Sequence, residues 1–304
     1  MRILPIVHHT DYVADTPDGH RFPMRKFARL AEVLREDGLI SHGFHMPEPI
    51  TRDQLLKAHS AGYVDGVLNR TLGTQEVRRI GFPLTPRVVR RAQLATGGTL
   101  LAARLALKYG LACNSAGGSH HAMADHGAGF CVFNDVAVAA SNLLADDPSL
   151  KIMVVDLDVH HGDGTASIFA DEPRVFTLSM HCDENWPLVK PASDCDIALS
   201  KNIGDTAYLE ALTGILPDLL DHIGPNLVFY VAGVDPHQDD RLGKLSLTDA
   251  GLMARERYVI EQVRSRHIAL VTVLGGGYST DIDILAARHA LVFHACADWL
   301  ATGR

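Results

Sequence analysis

Four short runs rich in Val, Ile and Leu constrain this chain more than any other feature: Ile152 to Val155, Val175 to Ser179, Leu227 to Ala232 and Ala269 to Leu274. A strand buried on both faces reads this way, because neither side of it meets water. Leu111 to Ser115 is a fifth strand-like stretch. Around these runs the periodicity predicts helices over Arg25 to Glu36, Pro86 to Tyr109, Asn134 to Leu144, Thr206 to Asp221, Thr248 to Arg264 and Ile284 to Ala301. Thr248 is a side-chain cap for the fifth. The alternation predicts an α/β protein, an open parallel sheet flanked by helices. No repeat, low-complexity tract or linker composition divides the 304 residues, so one domain over 1–304 is expected. Thr74 to Thr85 and Cys182 to Asp205 are rich in Gly, Pro and polar residues and read as irregular walls of a cleft.

The chain holds 17 histidines, several of them paired beside Asp or Gly. The densest case is Val154-Val155-Asp156-Leu157-Asp158-Val159-His160-His161-Gly162-Asp163-Gly164, where an apolar strand ends in acidic and imidazole groups. Alternation along a strand sends Asp156, Asp158 and His160 to one side, at the carboxyl end where open α/β sheets bind ligands. A lone Asp-x-His is more often a turn or helix cap. Five ionisable groups within eight residues need a cation or mutual pairing to be buried, which favours a metal such as zinc. A catalytic zinc takes three protein ligands and keeps one position open. Asp235, which follows the strand Leu227 to Ala232, fits the third; its alternative is a turn residue before Pro236.

Two further motifs follow strands. Gly117-Gly118-Ser119-His120-His121-Ala122, with Gly129-Phe130-Cys131 and Asn134-Asp135 after it, offers two imidazoles to a common cleft as a general base and an electrostatic partner. Asp156 and Asp163 are the spare carboxylates that could orient them. Leu274-Gly275-Gly276-Gly277-Tyr278 allows close backbone approach and supplies a phenol that could bind an oxyanion. Taken alone, the histidine pair reads as structural and the glycine run as a turn with a packing tyrosine.

In this order the motifs resemble the histone deacetylase superfamily: HHA, GFC, DxDxHHGDG, a GxD turn and GGGY, preceded by His20-Arg21-Phe22-Pro23 and His59-Ser60. The resemblance implies the arginase/deacetylase fold and a zinc-dependent amidohydrolase that removes an acetyl or longer acyl group from an amine, with acylated lysine of peptides or proteins as the first substrate class. It implies zinc ligands Asp158, His160 and Asp235, His121 as general base paired with Asp163, His120 as its neighbour paired with Asp156, and Tyr278 polarising the carbonyl. It places Gly129 and Phe130 on one wall of a narrow acyl-lysine tunnel, and Trp186 on the other. It also implies a structural potassium ion behind the zinc strand, held by Asp156, Asp158, His160, Ser179 and Met180. Asp163 within HHGDG, the short chain and Asp240-Arg241-Leu242-Gly243 look most like the small class IV type and its bacterial relatives.

Two departures bear on the substrate. Gly81-Phe82-Pro83-Leu84-Thr85-Pro86 has no acidic residue where many relatives grip a peptide backbone, and Leu242 stands where polyamine deacetylases carry an acidic gatekeeper. An apolar rim favours acyl-lysine or another small acyl-amide over an acylpolyamine, which is the alternative substrate. A dimanganese ureohydrolase and a non-catalytic binder of acylated amines are remoter readings.

Charge and cysteine content set the surroundings. A formal net charge of −8 argues against nucleic-acid binding. The opening MRILPIVHHTDY is too short and broken for a signal peptide or membrane span. Five dispersed cysteines without a CxxC pair suggest a reducing compartment, and a cytoplasmic protein is expected. The oligomeric state is left open.

Overall fold

A computed structural model describes residues 3–17 and 19–302. Among the described residues seven strands form one parallel sheet: β1 (Ile6–Val7), β2 (Leu111–Asn114), β3 (Ile152–Asp156), β4 (Val175–Cys182), β5 (Cys195–Leu199), β6 (Leu227–Val231) and β7 (Ala269–Val273). Their spatial order is β1-β2-β7-β6-β3-β4-β5. Helices flank the sheet: α1 (Lys26–Glu36), α2 (Arg52–Leu55), α3 (Ala61–Asn69), α4 (Thr74–Ile80), α5 (Pro86–Tyr109) and α6 (Asp135–Asp146) in the first half. The second half adds α7 (Asp163–Phe169), α8 (Asp205–Thr213), α9 (Leu216–Ile223), α10 (Asp249–Ser265) and α11 (Ile282–Ala301). Among the described residues no helix is long and apolar enough to cross a membrane.

The apolar runs became strands for the expected reason, since every residue of β3, β6 and β7 is buried. Local chemistry sets the helix ends. Thr85 caps α5 by accepting from Val88 N, Pro86 starts it, and Gly110 closes it at a left-handed φ of 92°. Asn134 and Thr248 cap α6 and α10 in the same way. Each such cap contributes about 1 kcal/mol.

Three expectations are corrected. The helix predicted over Thr206 to Asp221 is two, α8 and α9, because Gly214 ends the first and Pro217 sits in the opening turn of the second, where a missing N–H costs nothing. Thr74 to Thr85 is not wholly irregular: α4 occupies its first part, with Glu76 accepting from Gly73 N at its start. Cys182 to Asp205 contains the edge strand β5, whose residues are alternately half-buried and exposed over Cys195 to Ala198.

The strand order decides where function can lie. β2, β7, β6 and β3 are successive neighbours, so the loops that leave their carboxyl ends share one rim. Those loops are the two-histidine turn, the glycine–tyrosine turn, the segment holding Asp235 and the Asp158–His160 segment. Motifs up to 160 residues apart thus meet in one cleft.

Candidate active site

The Asp156-to-Asp163 segment leaves β3 and turns straight into α7. Asp158, His160 and Asp235 converge, with a ligand atom from each within 4.8 Å of the others, and all three are buried. His160 Nδ1 lies 3.0 Å from Asp158 Oδ1 and 3.1 Å from Asp235 Oδ2. One imidazole N–H cannot serve both, and Asp235 Oδ2 is left buried without a hydrogen-bond partner. The other lone pairs are used: Asp235 Oδ1 accepts from Val159 N at 2.9 Å, and Asp158 Oδ2 accepts from Gly276 N at 2.5 Å. A side chain at Gly276 would collide with both carboxylates, which is why the third loop needs glycine there.

Electrostatics points the same way. Burial lowers the affinity of His160 for a proton, but Asp158 and Asp235 outweigh it and raise its pKa to about 10. Burial and the Asp158 charge push Asp235 up to about 7. Without a cation, two carboxylates and one imidazole hold each other only by retaining extra protons. A divalent ion would supply that charge and take the orphaned oxygen, and the one-nitrogen, two-oxygen donor set suits zinc. The residues therefore fit the metal.

Beside this cluster lie two carboxylate–imidazole pairs. His120 Nδ1 is 2.7 Å from Asp156 Oδ2 and His121 Nδ1 is 2.6 Å from Asp163 Oδ1. The Nε2 atoms of the two rings are 3.1 Å apart, within hydrogen-bond distance of each other. Burial opposes charge on both, yet Asp156 and Asp158 hold His120 at about 9, whereas burial and the His120 cation drive His121 down to about 3. His121 is the neutral member, with Nδ1–H fixed on Asp163 and a lone pair on Nε2. The Tyr278 ring stands edge-on to His160, with centroids 6.4 Å apart, and burial keeps its phenol protonated.

The residues expected to form two walls lie together, with Trp186 against Gly129 rather than across a gap from it. Phe130, at a positive φ of 68°, packs near Phe22, Phe82 and Tyr278. Trp186 stands edge-on to His121 at 4.4 Å and covers Gly129, where a side chain would strike both rings. Leu242 lies at the same rim, half-buried, with its carbonyl accepting from Asn185 Nδ2 at 2.9 Å. Ser179 stands beside Asp156 in the β3–β4 register, and Met180 follows it, both buried.

Several supporting residues carried no assigned role in the sequence, although Asp135 and Asp240 stand within its motifs. Asp135 accepts from Gly118 N, Ser119 N and Thr99 Oγ1, and so fixes the turn that presents His120 and His121. Asp240 accepts from Tyr278 N at 2.6 Å and from Leu242 N and Gly243 N. Lys26 is buried, with Nζ 3.3 Å from Gly277 O and its pKa lowered by burial to about 8. Arg91 and Phe27 line a narrow cavity of about 30 Å³ with Phe22, His121, Phe130 and Tyr278. A signal existed for Lys26, which shares the helical face of Leu30, Ala31 and Leu34 and is therefore a cation on an apolar stripe.

A parallel α/β sheet whose carboxyl-end rim combines a metal-fitting acidic cluster, two oriented imidazoles and a buried phenol defines a hydrolytic centre. Residues 20–295 match the histone deacetylase domain. An uncharacterized protein of Picosynechococcus sp. is 46% identical over 97% of this chain and 98% of its own length. Histone deacetylase 2 of Arabidopsis thaliana is 30% identical, covering 85% of this chain and 70% of its own. A probable deacetylase of Methanothermobacter thermautotrophicus is 29% identical over 91% and 86%. Among solved structures, an HDAC homologue complexed with SAHA superposes with a TM-score of 0.81 at 24% identity, over 97% of this chain and 84% of that one. The chain belongs to the histone deacetylase family and is a deacetylase-family hydrolase.

Proposed function

We propose that this protein is a zinc-dependent deacylase of acylated amines, with acyl-lysine side chains as its preferred substrates, acting as one catalytic domain over residues 1–304. The observation that carries the reading is the orphaned Asp235 oxygen facing His160 beside the two histidine–aspartate pairs. Asp158, His160 and Asp235 would hold the zinc, which when bound polarises an amide carbonyl and acidifies water.

The remaining work falls to the chain. His121 accepts the proton of the attacking water at Nε2, while Asp163 holds Nδ1–H and stabilises the imidazolium that forms. The same Nε2–H then protonates the leaving amine, giving a carboxylate and a free amine. His120, kept cationic by Asp156, disfavours a resting charge on His121. Tyr278 donates its O–H to the oxygen on which negative charge develops. Phe130 lines the passage for an extended alkyl chain, and Trp186, packed on Gly129 and His121, shields the centre from water. Asp156, Asp158, His160, Ser179 and Met180 are the groups we assign to a structural potassium ion. The five free cysteines support a reducing, cytoplasmic setting.

Leu242 supports acyl-lysine over acylpolyamine, since an apolar rim offers a polycation no counter-charge. The test is amine release from a panel of acyl-lysine peptides and acylpolyamines by zinc-loaded protein, with an Asp158→Ala control. Turnover on acyl-lysine that vanishes in the control is expected. Equal or faster turnover of acetylspermidine or acetylputrescine would overturn the substrate assignment, and no turnover on any member would overturn the deacylase reading.

A further inference from the structure

A second trio of metal-binding side chains meets away from the catalytic cluster. His161 lies on the loop after β3, His181 on β4 and Asp196 on the edge strand β5, and a ligand atom from each lies within 4.8 Å of the others. The β4–β5 register sets Asp196 opposite Ser179 and Ala198 opposite His181, so Ser179, His181 and Asp196 project from the same side of the sheet. His161 Nε2 is 3.1 Å from Asp196 Oδ1, and the two imidazoles meet edge-on with centroids 4.6 Å apart. His181 Nδ1 faces Ser179 Oγ at 3.1 Å, and His161 Nδ1 is buried without a hydrogen-bond partner. Both rings are buried, whereas 31% of the Asp196 side chain is exposed and opens the cluster to solvent. Tetrahedral ligands of zinc lie roughly 3.4 Å apart, given metal–ligand bonds of about 2.1 Å. A modest rotation of side chains closes the trio to that span.

We infer that His161, His181 and Asp196 form a second transition-metal site, with zinc the ion best matched to two imidazoles and one carboxylate. Three protein ligands leave a position for water, and Ser193 Oγ, 3.3 Å from His161 Nε2, lies beside it. The site ties the β3 loop, β4 and β5 together at the base of residues 183–194. That segment carries Trp186 to its place against His121. The ion is therefore structural, and it steadies one wall of the tunnel without touching the reacting atoms.

The inference does not depend on the deacylase reading, because zinc can be counted with the catalytic cluster removed. Metal-free protein is titrated with zinc, and the bound ion is measured by mass spectrometry after buffer exchange. Wild type is expected to hold two equivalents, Asp158→Ala one, and Asp158→Ala combined with Asp196→Asn none. Asp196 is at the surface, so its replacement should not prevent folding, which circular dichroism checks. In the Asp158→Ala protein, zinc should also slow amide exchange over residues 183–194, and His181→Gln should abolish that protection. Failure of Asp158→Ala protein to bind zinc, or zinc that persists after Asp196→Asn, would overturn the site. Exchange over 183–194 that ignores zinc would overturn the wall-steadying role.

Discussion

His160 and His161 are neighbours in the chain, yet they serve two clusters of opposite make-up. His160 joins two carboxylates in a buried pocket with an excess of negative charge and a carboxylate oxygen left without a hydrogen bond. His161 joins one carboxylate and a second imidazole in a cluster that opens at Asp196. The first demands a cation for electrostatic reasons and points into the cleft. The second has its carboxylate satisfied by His161 and by Ser193 N, so a metal there adds stability without being required for charge balance. Chemistry belongs where the burial of unbalanced charge is most costly, and bracing suffices where it is not.

Breaking each side separately tests that contrast. The largest effect should come from His121→Ala, which removes the proton carrier and should lower kcat by roughly 10²–10⁴-fold, whereas Asp196→Asn should retain most turnover in the same assay. Tyr278→Phe should cost about 10²–10³ in kcat with KM nearly unchanged, since its bond forms as charge develops; steady-state kinetics separates the two constants. The third test concerns acid stability. Burial holds His59 neutral, with its pKa lowered to about 4, and its two ring nitrogens serve two backbone groups, Met123 O and Asn134 N. Because the unfolded state binds the proton more readily, stability should fall as pH drops from about 6.5 to about 4, by up to roughly 3 kcal/mol for this group. Urea midpoints across that range should show a shallower slope for His59→Gln. Zinc at a hundredfold excess over its Kd should stabilise the Asp158→Ala protein by about 2.7 kcal/mol, read as a rise in Tm that Asp196→Asn removes. The smallest effect is expected from Leu242→Glu. One partly exposed rim charge contributes up to about 1 kcal/mol, so the preference should move about fivefold toward cationic acylpolyamines in competition kinetics.

Much of the centre was legible as a dense run of acidic and imidazole groups at the end of an apolar strand, but side-chain alternation does not place it, because β3 ends at Asp156 and Asp158 and His160 lie on the bend beyond it. The buried strands were legible for a related reason, since full burial forces an apolar run. β1 was not, because two residues, Ile6 and Val7, carry no period. β5 left a faint trace in Cys195, Ile197 and Leu199, hidden among the Gly, Pro and polar residues around it. The pairings of His120 with Asp156 and His121 with Asp163 came from the resemblance to relatives, because the partners are 36 and 42 residues apart.

The sequence by itself determined the element types, the donor chemistry of each loop and the end of each strand at which that chemistry emerges, because propensity, alternation and capping are properties of neighbouring residues. The strand order that seats β2, β7, β6 and β3 side by side was decided only by tertiary structure. So were the orphaned oxygen of Asp235, the support that Asp135, Asp240 and Lys26 give from below, and the meeting of His161 with His181 and Asp196. Each depends on groups far apart in the chain being buried together, and the free energy of a buried charge is fixed by whatever the fold places within a few ångströms of it.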